Sequence, residues 1–309
     1  MGATQMRKID FHVHCIDCRS VEQSATYLED MIVRKGYRGV CIQGLIHCTG
    51  AYYENGNEIA LKLSKMLPDS YAFAGLDHGR DFIEQTKEYM ARGFRGIKLL
   101  DGKPSEWRQF GYSYDDQRFD EFFAFCEVEK IPLMIHNNDP KDNWDVSKAT
   151  KRAMEQGWVY DENVPSQEWF FEQLENVLLR YSNLRAALAH FGFYADNIQR
   201  AERLMEKCPY LMMDITPAIC IYPQLSKNPK KAEAFFRKYH ERIIYGTDAD
   251  CNLVGFAREY NDLKVDIITH FLEGKEPKAF QGEMIHPIKL ETEMLENIYY
   301  NNAMRFIIR

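Results

Sequence analysis

The sequence has little of three features that assign a protein to a simple class: long apolar runs, clustered positive charge and repeated cysteine pairs. No run approaches the roughly 20 apolar residues that cross a bilayer. The formal net charge is -7, and basic runs are no longer than the pair Lys230-Lys231. This charge pattern argues against a nucleic-acid surface. We therefore expect no membrane or nucleic-acid partner and a small-molecule substrate instead.

The eight cysteines do not predict a disulfide framework, because they are scattered through strand-like and helix-like segments. Residues 1–8 lack the apolar core of a secretion signal, so we expect reduced thiols and a cytoplasmic location. Cys15 and Cys18 form one Cys-x-x-Cys. Without a second such pair this spacing favours loop packing or coincidence over a zinc site.

The remaining sequence alternates between strand-like and helix-like patterns. A chain of 309 residues with 45% hydrophobic residues can bury one large core. Eight strand-like runs separated by amphipathic segments predict an α/β fold, a parallel eight-stranded (β/α)8 TIM barrel that forms a single domain over residues 1–309. The runs begin near Arg7, Gly39, Tyr71, Arg95, Ile131, Leu184, Tyr210 and Ile243.

Helix signals support this count. Ser20 can cap a helix that ends before Gly36, and a second helix ends at Gly93. One interval is too long, and residues 137–164 are therefore predicted to be an insertion after strand five. Insertions there lie on the active-site face of a barrel, so this one suggests a lid or a pocket wall. A surface excursion or a subunit contact is the alternative.

Five residues stand at or near the ends of apolar runs. His12 and His14 are two positions apart on the first strand and point the same way, because side chains alternate along a strand. His136, His190 and Asp248 each close a later apolar run. Parallel strands of a barrel end at the same mouth, so we expect all five side chains to converge there. Imidazole nitrogens and a carboxylate oxygen are ligands for zinc.

With these residues the sequence resembles the amidohydrolase superfamily, in particular the amidohydrolase-related branch that includes aminocarboxymuconate semialdehyde decarboxylase. The resemblance covers nearly the whole chain in five ordered elements, and it implies a metal-dependent enzyme but not a substrate. The matching stretches are residues 10–14, 96–99, 135–136, 188–192 and 245–248.

The resemblance implies a division of labour among the five residues. His12, His14 and Asp248 would hold one divalent ion, most simply Zn²⁺, with His136 as a further ligand or a supporting group. Such an ion lowers the pKa of bound water toward about 7. Asp248 would accept the proton of this water, and His190 would orient it or act as acid and base. Asp10 is expected to support the histidine pair by hydrogen bonding.

Lys98 leaves three alternatives open. In binuclear amidohydrolases a carbamylated lysine on strand four bridges two metals, and this would imply a second ion here. Alternatively, Lys98 is a cation that faces a substrate carboxylate, or it is a structural ion pair. The branch that the sequence resembles favours one metal.

The substrate-binding candidates are residues that follow strands four, five, six and eight and could line one cavity. They are Trp107, Arg108, Asn137, Asn138, Phe191, Tyr194 and Asp250. The first functional hypothesis is hydrolysis of an amide, lactone or ester through metal-activated water. The second is non-oxidative decarboxylation of an aromatic or unsaturated acid, and the third is a catalytically silent metal-binding barrel. The resemblance also suggests a homodimer.

Overall fold

Parallel strands form the centre of the molecule. The computed structural model describes residues 6–15, 20–46, 56–218, 220–251 and 257–308, and Cys18 lies outside the described residues. The strands run in the order β8-β7-β6-β5-β4-β3-β2-β1-β9. They are β1 (Lys8–His14), β2 (Tyr37–Gln43), β3 (Tyr71–Gly75), β4 (Gly96–Gly102), β5 (Leu133–Asn137), β6 (Ala186–Leu188), β7 (Leu211–Asp214), β8 (Ile243–Ile244) and β9 (Ala249–Asp250).

The last two strands close the sheet on itself. β8 pairs with β7, whereas β9 pairs with β1 through Val13 and Ala249. Between them, the Phe11 amide donates a hydrogen bond of 3.1 Å to the Tyr245 carbonyl. β8 and β9 are thus the two ends of a single strand, the eighth of the barrel. The predicted (β/α)8 fold is confirmed, and each strand begins within two residues of its predicted start.

Helices surround this sheet. The first three are α1 (Val21–Lys35), α2 (Gly56–Met66) and α3 (Phe82–Arg92), followed by α4 (Pro104–Phe110), α5 (Asp120–Glu129), α6 (Lys151–Glu155), α7 (Gln167–Arg180), α8 (Ile198–Lys207), α9 (Ile221–Ser226), α10 (Pro229–Tyr239), α11 (Ala257–Glu273), α12 (Thr292–Glu296) and α13 (Asn302–Ile307). A hairpin of β10 (Lys278–Phe280) and β11 (Glu283–Ile285) follows α11. Among the described residues, no helix is both long and apolar enough to cross a membrane.

The predicted helix ends are observed. The Ser20 hydroxyl accepts a hydrogen bond from the Gln23 amide at the start of α1, and Gly36 ends that helix with a φ of 66°. Gly93 ends α3 with a φ of 106°, a left-handed conformation that glycine adopts without a Cβ clash. These caps determine where each helix stops and where the chain re-enters the sheet.

A register shift in β1 separates the apolar interior of the barrel from its polar mouth. Pairing with β2 shifts between Asp10 and Val13. Phe11 belongs to the inner apolar cluster, where its ring contacts Phe73 and Phe306 edge to face at 5.6 and 5.5 Å. Val13 belongs instead to the layer between sheet and helices. Irregularities of this kind redirect side chains. Here His12 and His14 follow Phe11 along β1, beyond the aromatic contacts of Phe11 in the barrel interior.

Candidate metal centre

Three potential ligand atoms converge at the end of β1. The Nε2 atoms of His12 and His14 lie 3.0 Å apart. Asp248 Oδ1 lies 3.4 Å from His14 Nε2 and 3.7 Å from His12 Nε2. We call these three residues the ligand group. Among the described residues, they are the set of metal-binding side chains whose ligand atoms all lie within 4.8 Å of one another.

The other ring nitrogens show where the protons are. His14 Nδ1 is 3.2 Å from the Gln43 carbonyl, which only accepts, so Nδ1 carries the hydrogen and Nε2 carries an electron pair. His12 Nδ1 is 2.7 Å from Asp214 Oδ2, and one proton is shared across this contact. Burial raises the pKa of Asp214 well above its usual value, while the hydrogen bonds from Thr216 and the charge of Lys98 favour the carboxylate, to which Nδ1–H of His12 donates. Burial lowers the pKa of His14 to about 4, against the attraction of Asp248. Burial also lowers the pKa of His12 well below its usual value.

These atoms fit a divalent cation. Ligand atoms about 2.0–2.1 Å from a zinc ion lie about 3.3–3.4 Å apart at tetrahedral angles. The three separations of 3.0, 3.4 and 3.7 Å bracket that value. With each ring protonated on Nδ1, both Nε2 atoms and the carboxylate oxygen present electron pairs to one another, and a cation between them would stabilise this arrangement. Two imidazoles and one carboxylate, with positions left for water, are a donor set that suits catalytic zinc.

Asp248 reaches the group from an unusual backbone conformation. Its φ is 54°, in the left-handed region that aspartate rarely adopts, and Lys264 of α11 donates to its carbonyl oxygen. Lys264 Nζ also lies 3.7 Å from Asp248 Oδ2. Desolvation raises the pKa of the Asp248 carboxyl, but nearby positive charge, chiefly that of Lys264 with a contribution from Lys98, outweighs it and brings the pKa below its ordinary value. Asp248 is therefore ionised at neutral pH.

Asp10 supports this loop from below, in agreement with the expectation of a supporting role. Its carboxylate accepts hydrogen bonds from the amides of His12 and Thr247, at 3.2 and 3.0 Å. The Thr247 hydroxyl donates a further bond of 2.5 Å. Burial raises the pKa of Asp10 to about 7, against these hydrogen bonds. Asp10 thus holds backbone on both sides of the ligand group.

His190 and His136 lie beside the group rather than within it. The His190 ring is 5.6 Å from the His12 ring and 5.0 Å from the His136 ring, centroid to centroid. β6 ends at Leu188, so His190 lies in a left-handed turn, with a φ of 53°, and not on the strand itself. His136 Nε2 lies 3.0 Å from the Asn138 carbonyl, which only accepts, so Nε2 carries the hydrogen and Nδ1 carries an electron pair.

Lys98 of β4 approaches the same electron pairs. Its Nζ lies 3.4 Å from His12 Nε2. The side chain also lines a cavity with the apolar Leu45, Leu76 and Leu100 and the acidic Asp101 and Glu106. Its charge contributes, after burial, to the low pKa of His12.

Asp214 and Thr216 are site residues that the sequence reasoning missed. Asp214 ends β7 and binds His12, and the Thr216 hydroxyl lies 3.2 Å from His190 Nδ1. One signal was available. Leu211-Met212-Met213-Asp214 is an apolar run closed by a carboxylate, the same pattern that singled out Asp248. A barrel places the end of strand seven at the same mouth as the others.

The substrate-binding candidates lie in several environments. Phe191 packs between Phe235 and Phe236 of α10, and Tyr194 stacks on Phe171 of α7, so both rings lie in the helix layer. Asn137 is fully buried at the end of β5, and the Asn138 amide donates to the Gln167 carbonyl. The Asp250 main chain hydrogen-bonds to Asn261 of α11. Trp107 contacts Trp169 edge to face, and Arg108 donates to the Gly157 carbonyl.

A second cluster of buried charges connects β4 to segment 137–164. Lys103 Nζ donates to both carboxylate oxygens of Asp139, at 2.6 and 2.8 Å, and the Tyr160 hydroxyl donates to the same carboxylate. We call these three residues the salt-bridge cluster. Burial of Asp139 opposes ionisation, but the Lys103 charge outweighs it and lowers the pKa of Asp139 to about 2. On its other side, the segment contacts α11, where the Arg152 guanidinium lies 5.4 Å from the Tyr260 ring.

Comparisons with known proteins agree with this architecture. The chain is similar to the structure of dihydroxybenzoic acid decarboxylase from Polaromonas sp. JS666, which contains bound manganese and the inhibitor 2-nitroresorcinol. The identity is 12% and the TM-score 0.58, with 97% of this chain and 96% of that chain covered. The chain is also similar to 4-oxalomesaconate hydratase from Rhodopseudomonas palustris, with 14% identity and a TM-score of 0.54, over 97% of this chain and 95% of that chain. Its similarity to dihydroorotase from Campylobacter jejuni has 13% identity and a TM-score of 0.53, over 97% of this chain and 82% of that chain.

At these identities, the structural similarities establish the barrel fold alone. A comparison with curated protein sequences found no match. The family model described as amidohydrolase, however, matches residues 45–307, which is most of the chain. This protein therefore belongs to the amidohydrolase family of enzymes, as its sequence motifs predict.

Proposed function

We propose that this protein is a metal-dependent hydrolase that uses activated water to cleave an amide, lactone or ester bond of a small molecule. One observation carries the proposal. His12 Nε2, His14 Nε2 and Asp248 Oδ1 direct electron pairs at one another across 3.0 to 3.7 Å, an arrangement that a bound cation stabilises. Family membership supports it independently.

The proposed site holds one divalent ion. His12, His14 and Asp248 would bind it, with His136 as a further ligand through Nδ1, and zinc is the metal that this donor set favours. Such an ion supplies Lewis-acid activation of water and of a substrate carbonyl. A second ion would require a carbamate on Lys98, and the contact of Lys98 with His12 supports the simpler site with one ion.

The protein's own groups would manage the proton and the substrate. Asp248 is ionised and can accept a proton from the attacking water. His190 is neutral because burial lowers the pKa of its ring well below the usual value, and it can orient that water through Nε2. Two bases beside one cation suit hydrolysis, since the water must lose a proton before it attacks.

Decarboxylation of an aromatic or unsaturated acid is the second candidate, and Lys98 is the observation that favours it. An ammonium group 3.4 Å from His12 Nε2, beside a cavity with leucine walls, suits the carboxylate of a planar acid. The similar Polaromonas structure is named as a dihydroxybenzoic acid decarboxylase. In this reaction a proton must be delivered to carbon, and a protonated histidine would supply it.

One experiment separates the candidates. Protein loaded with Zn²⁺ or Mn²⁺ is assayed for carbon dioxide release on a panel of aromatic acids and for ring opening or cleavage on matched lactones, esters and amides. We expect hydrolysis, with carbon dioxide release at background. Carbon dioxide release without hydrolysis would replace the first candidate by the second. Metal binding without turnover on any substrate would indicate a catalytically silent barrel.

The other expectations from the sequence remain predictions. These are a cytoplasmic location, a small-molecule partner without nucleic acid, a homodimer, a single domain over residues 1–309 and a covering role for segment 137–164. The contacts of that segment with Lys103, directly after β4, on one side and with α11 on the other support the covering role.

A further inference from the structure

A chain of hydrogen bonds joins the His12 and His190 rings beneath the ligand group. It consists of Asp214 at the end of β7 and Thr216 two residues later, both fully buried. Asp214 Oδ2 lies 2.7 Å from His12 Nδ1 and accepts a bond of 2.9 Å from the Thr216 hydroxyl. The same hydroxyl oxygen lies 3.1 Å from the His190 amide nitrogen and 3.2 Å from His190 Nδ1.

The single proton of the Thr216 hydroxyl determines the direction of the chain. Because this proton is donated to Asp214, the hydroxyl oxygen can only accept from His190. His190 must therefore carry its ring proton on Nδ1. Asp214 Oδ2, which accepts from Thr216, also lies 2.7 Å from His12 Nδ1, and we assign the proton of this bond to the ring. Both imidazoles are thereby held in the tautomer whose Nε2 bears an electron pair, and both rings are anchored by one residue pair.

We propose that Thr216 is a positioning residue. Its hydroxyl determines the orientation and tautomer of His190 and, through Asp214, of the proposed metal ligand His12. The catalytic consequence rests on the proposed function, but the hydrogen-bond assignment does not. Partners of this kind commonly change metal affinity by about 10–100-fold when they are removed.

Gly246, between β8 and β9, leaves space for the side chains of Asp214 and Thr216. A Cβ on Gly246 would lie 2.6 Å from Asp214 Oδ1, 2.7 Å from His12 Cβ and 3.0 Å from Thr216 Cγ2. Only glycine allows the chain after β8 to approach so closely. Thr247 offers a matched contrast, because its hydroxyl also donates to a buried aspartate, but Asp10 then binds backbone amides and no imidazole ring.

Histidine ring tautomers can be measured without any substrate. Metal-free protein with ¹⁵N-labelled histidine is examined by long-range ¹H–¹⁵N NMR, which distinguishes Nδ1–H from Nε2–H. We expect Nδ1–H at His12 and His190 in the wild type, and loss of this state at His190 in Thr216→Val. Thr216→Ser should retain it, and Thr247→Val, the matched control, should leave both rings unchanged. An unchanged His190 tautomer in Thr216→Val would overturn the proposal.

Zinc affinity provides the second measurement. Competition with a chromophoric chelator should show Zn²⁺ binding weakened by about tenfold or more in Thr216→Val and restored in Thr216→Ser. Failure of the serine variant to restore affinity would overturn the role of the hydroxyl. If Thr216→Val does not fold, Asp214→Asn replaces the shared acceptor and should alter both rings. Wild type that binds no zinc would refute the proposed function, while the NMR measurement would still decide this inference.

Discussion

The ligand group and the salt-bridge cluster are both largely buried sets of ionisable side chains, with Asp248 partly exposed, yet their charges are balanced in opposite ways. In the salt-bridge cluster, Lys103 donates to both oxygens of Asp139 within 2.8 Å, and Tyr160 donates as well. In the ligand group, the three atoms that face one another are all acceptors.

This contrast separates a structural role from a binding role. Burial of a charge is costly, and the protein offsets this cost at Asp139 with its own donors. At the ligand group, Gln43 and Asp214 present acceptor oxygens to the far sides of the imidazoles. The near sides present electron pairs, and the nearest described cation there, Lys98 Nζ, lies 3.4 Å from His12 Nε2 rather than at the carboxylate. The two clusters therefore differ in the positions of their hydrogen-bond donors and acceptors, and not in the mere presence of buried charges.

The largest expected effect is the loss of activity in Asp248→Asn. The change removes the negative charge of the ligand group and the proposed proton acceptor, so turnover should fall by about 10³-fold or more. Steady-state kinetics and metal analysis test this. Asp262→Asn is the control, because Asp262 has the same side-chain exposure of 31% but pairs with Arg34 on the surface. Equal activity of the two variants would contradict the proposed site.

Lys103→Met should instead reduce stability. It leaves the buried carboxylate of Asp139 without its cation, which should cost about 3–5 kcal/mol in the free energy of unfolding. Urea unfolding measures this, and Zn²⁺ affinity should stay within about twofold of the wild type. Lys148→Met, which breaks an ion pair whose lysine is 63% exposed, should cost less than about 1 kcal/mol. A similar small cost for Lys103→Met would remove the distinction between the clusters.

Metal removal should affect the ligand group alone. A bound ion stabilises the folded state by about 2.7 kcal/mol when its free concentration is 100 times the dissociation constant. Treatment with a chelator should lower the melting temperature of the wild type and of Lys103→Met, and added Zn²⁺ should restore it. In Asp248→Asn the shift should be much smaller. If the zinc-dependent shift in melting temperature is lost in Lys103→Met but kept in Asp248→Asn, the ion binds at the salt-bridge cluster and the proposed site is contradicted.

The smallest expected effect is the acid dependence of the salt-bridge cluster. The pKa of Asp139 falls from 3.8 to about 2 on folding, so the unfolded chain binds this proton more readily. The stabilisation, about 2 kcal/mol, is complete above the unfolded pKa and is lost as the pH falls toward about 2. Urea unfolding between about pH 5 and pH 2 should show this loss in the wild type and not in Lys103→Met. Equal acid dependence of the two proteins would contradict the assignment.

Much of the fold and half of the candidate site followed from local patterns. Strand starts were predicted to within two residues because apolar runs and helix caps such as Ser20 act over a few residues. The pairing of His12 with His14 followed from strand alternation, and Asp248 followed from its place at the end of an apolar run. The positions of Phe191 and Tyr194 in the helix layer did not follow, because they depend on the left-handed turn after β6.

The sequence by itself determined the barrel, the residue types at its mouth and the family, because strand period, capping and motif order are properties of the chain. Tertiary structure alone decided which groups share protons. The register shift in β1, the left-handed conformation of Asp248 and the contacts of Asp214 and Thr216 depend on elements far apart in sequence. Hydrogen bonds are short and directional, so their partners are defined only once the strands have closed into a ring.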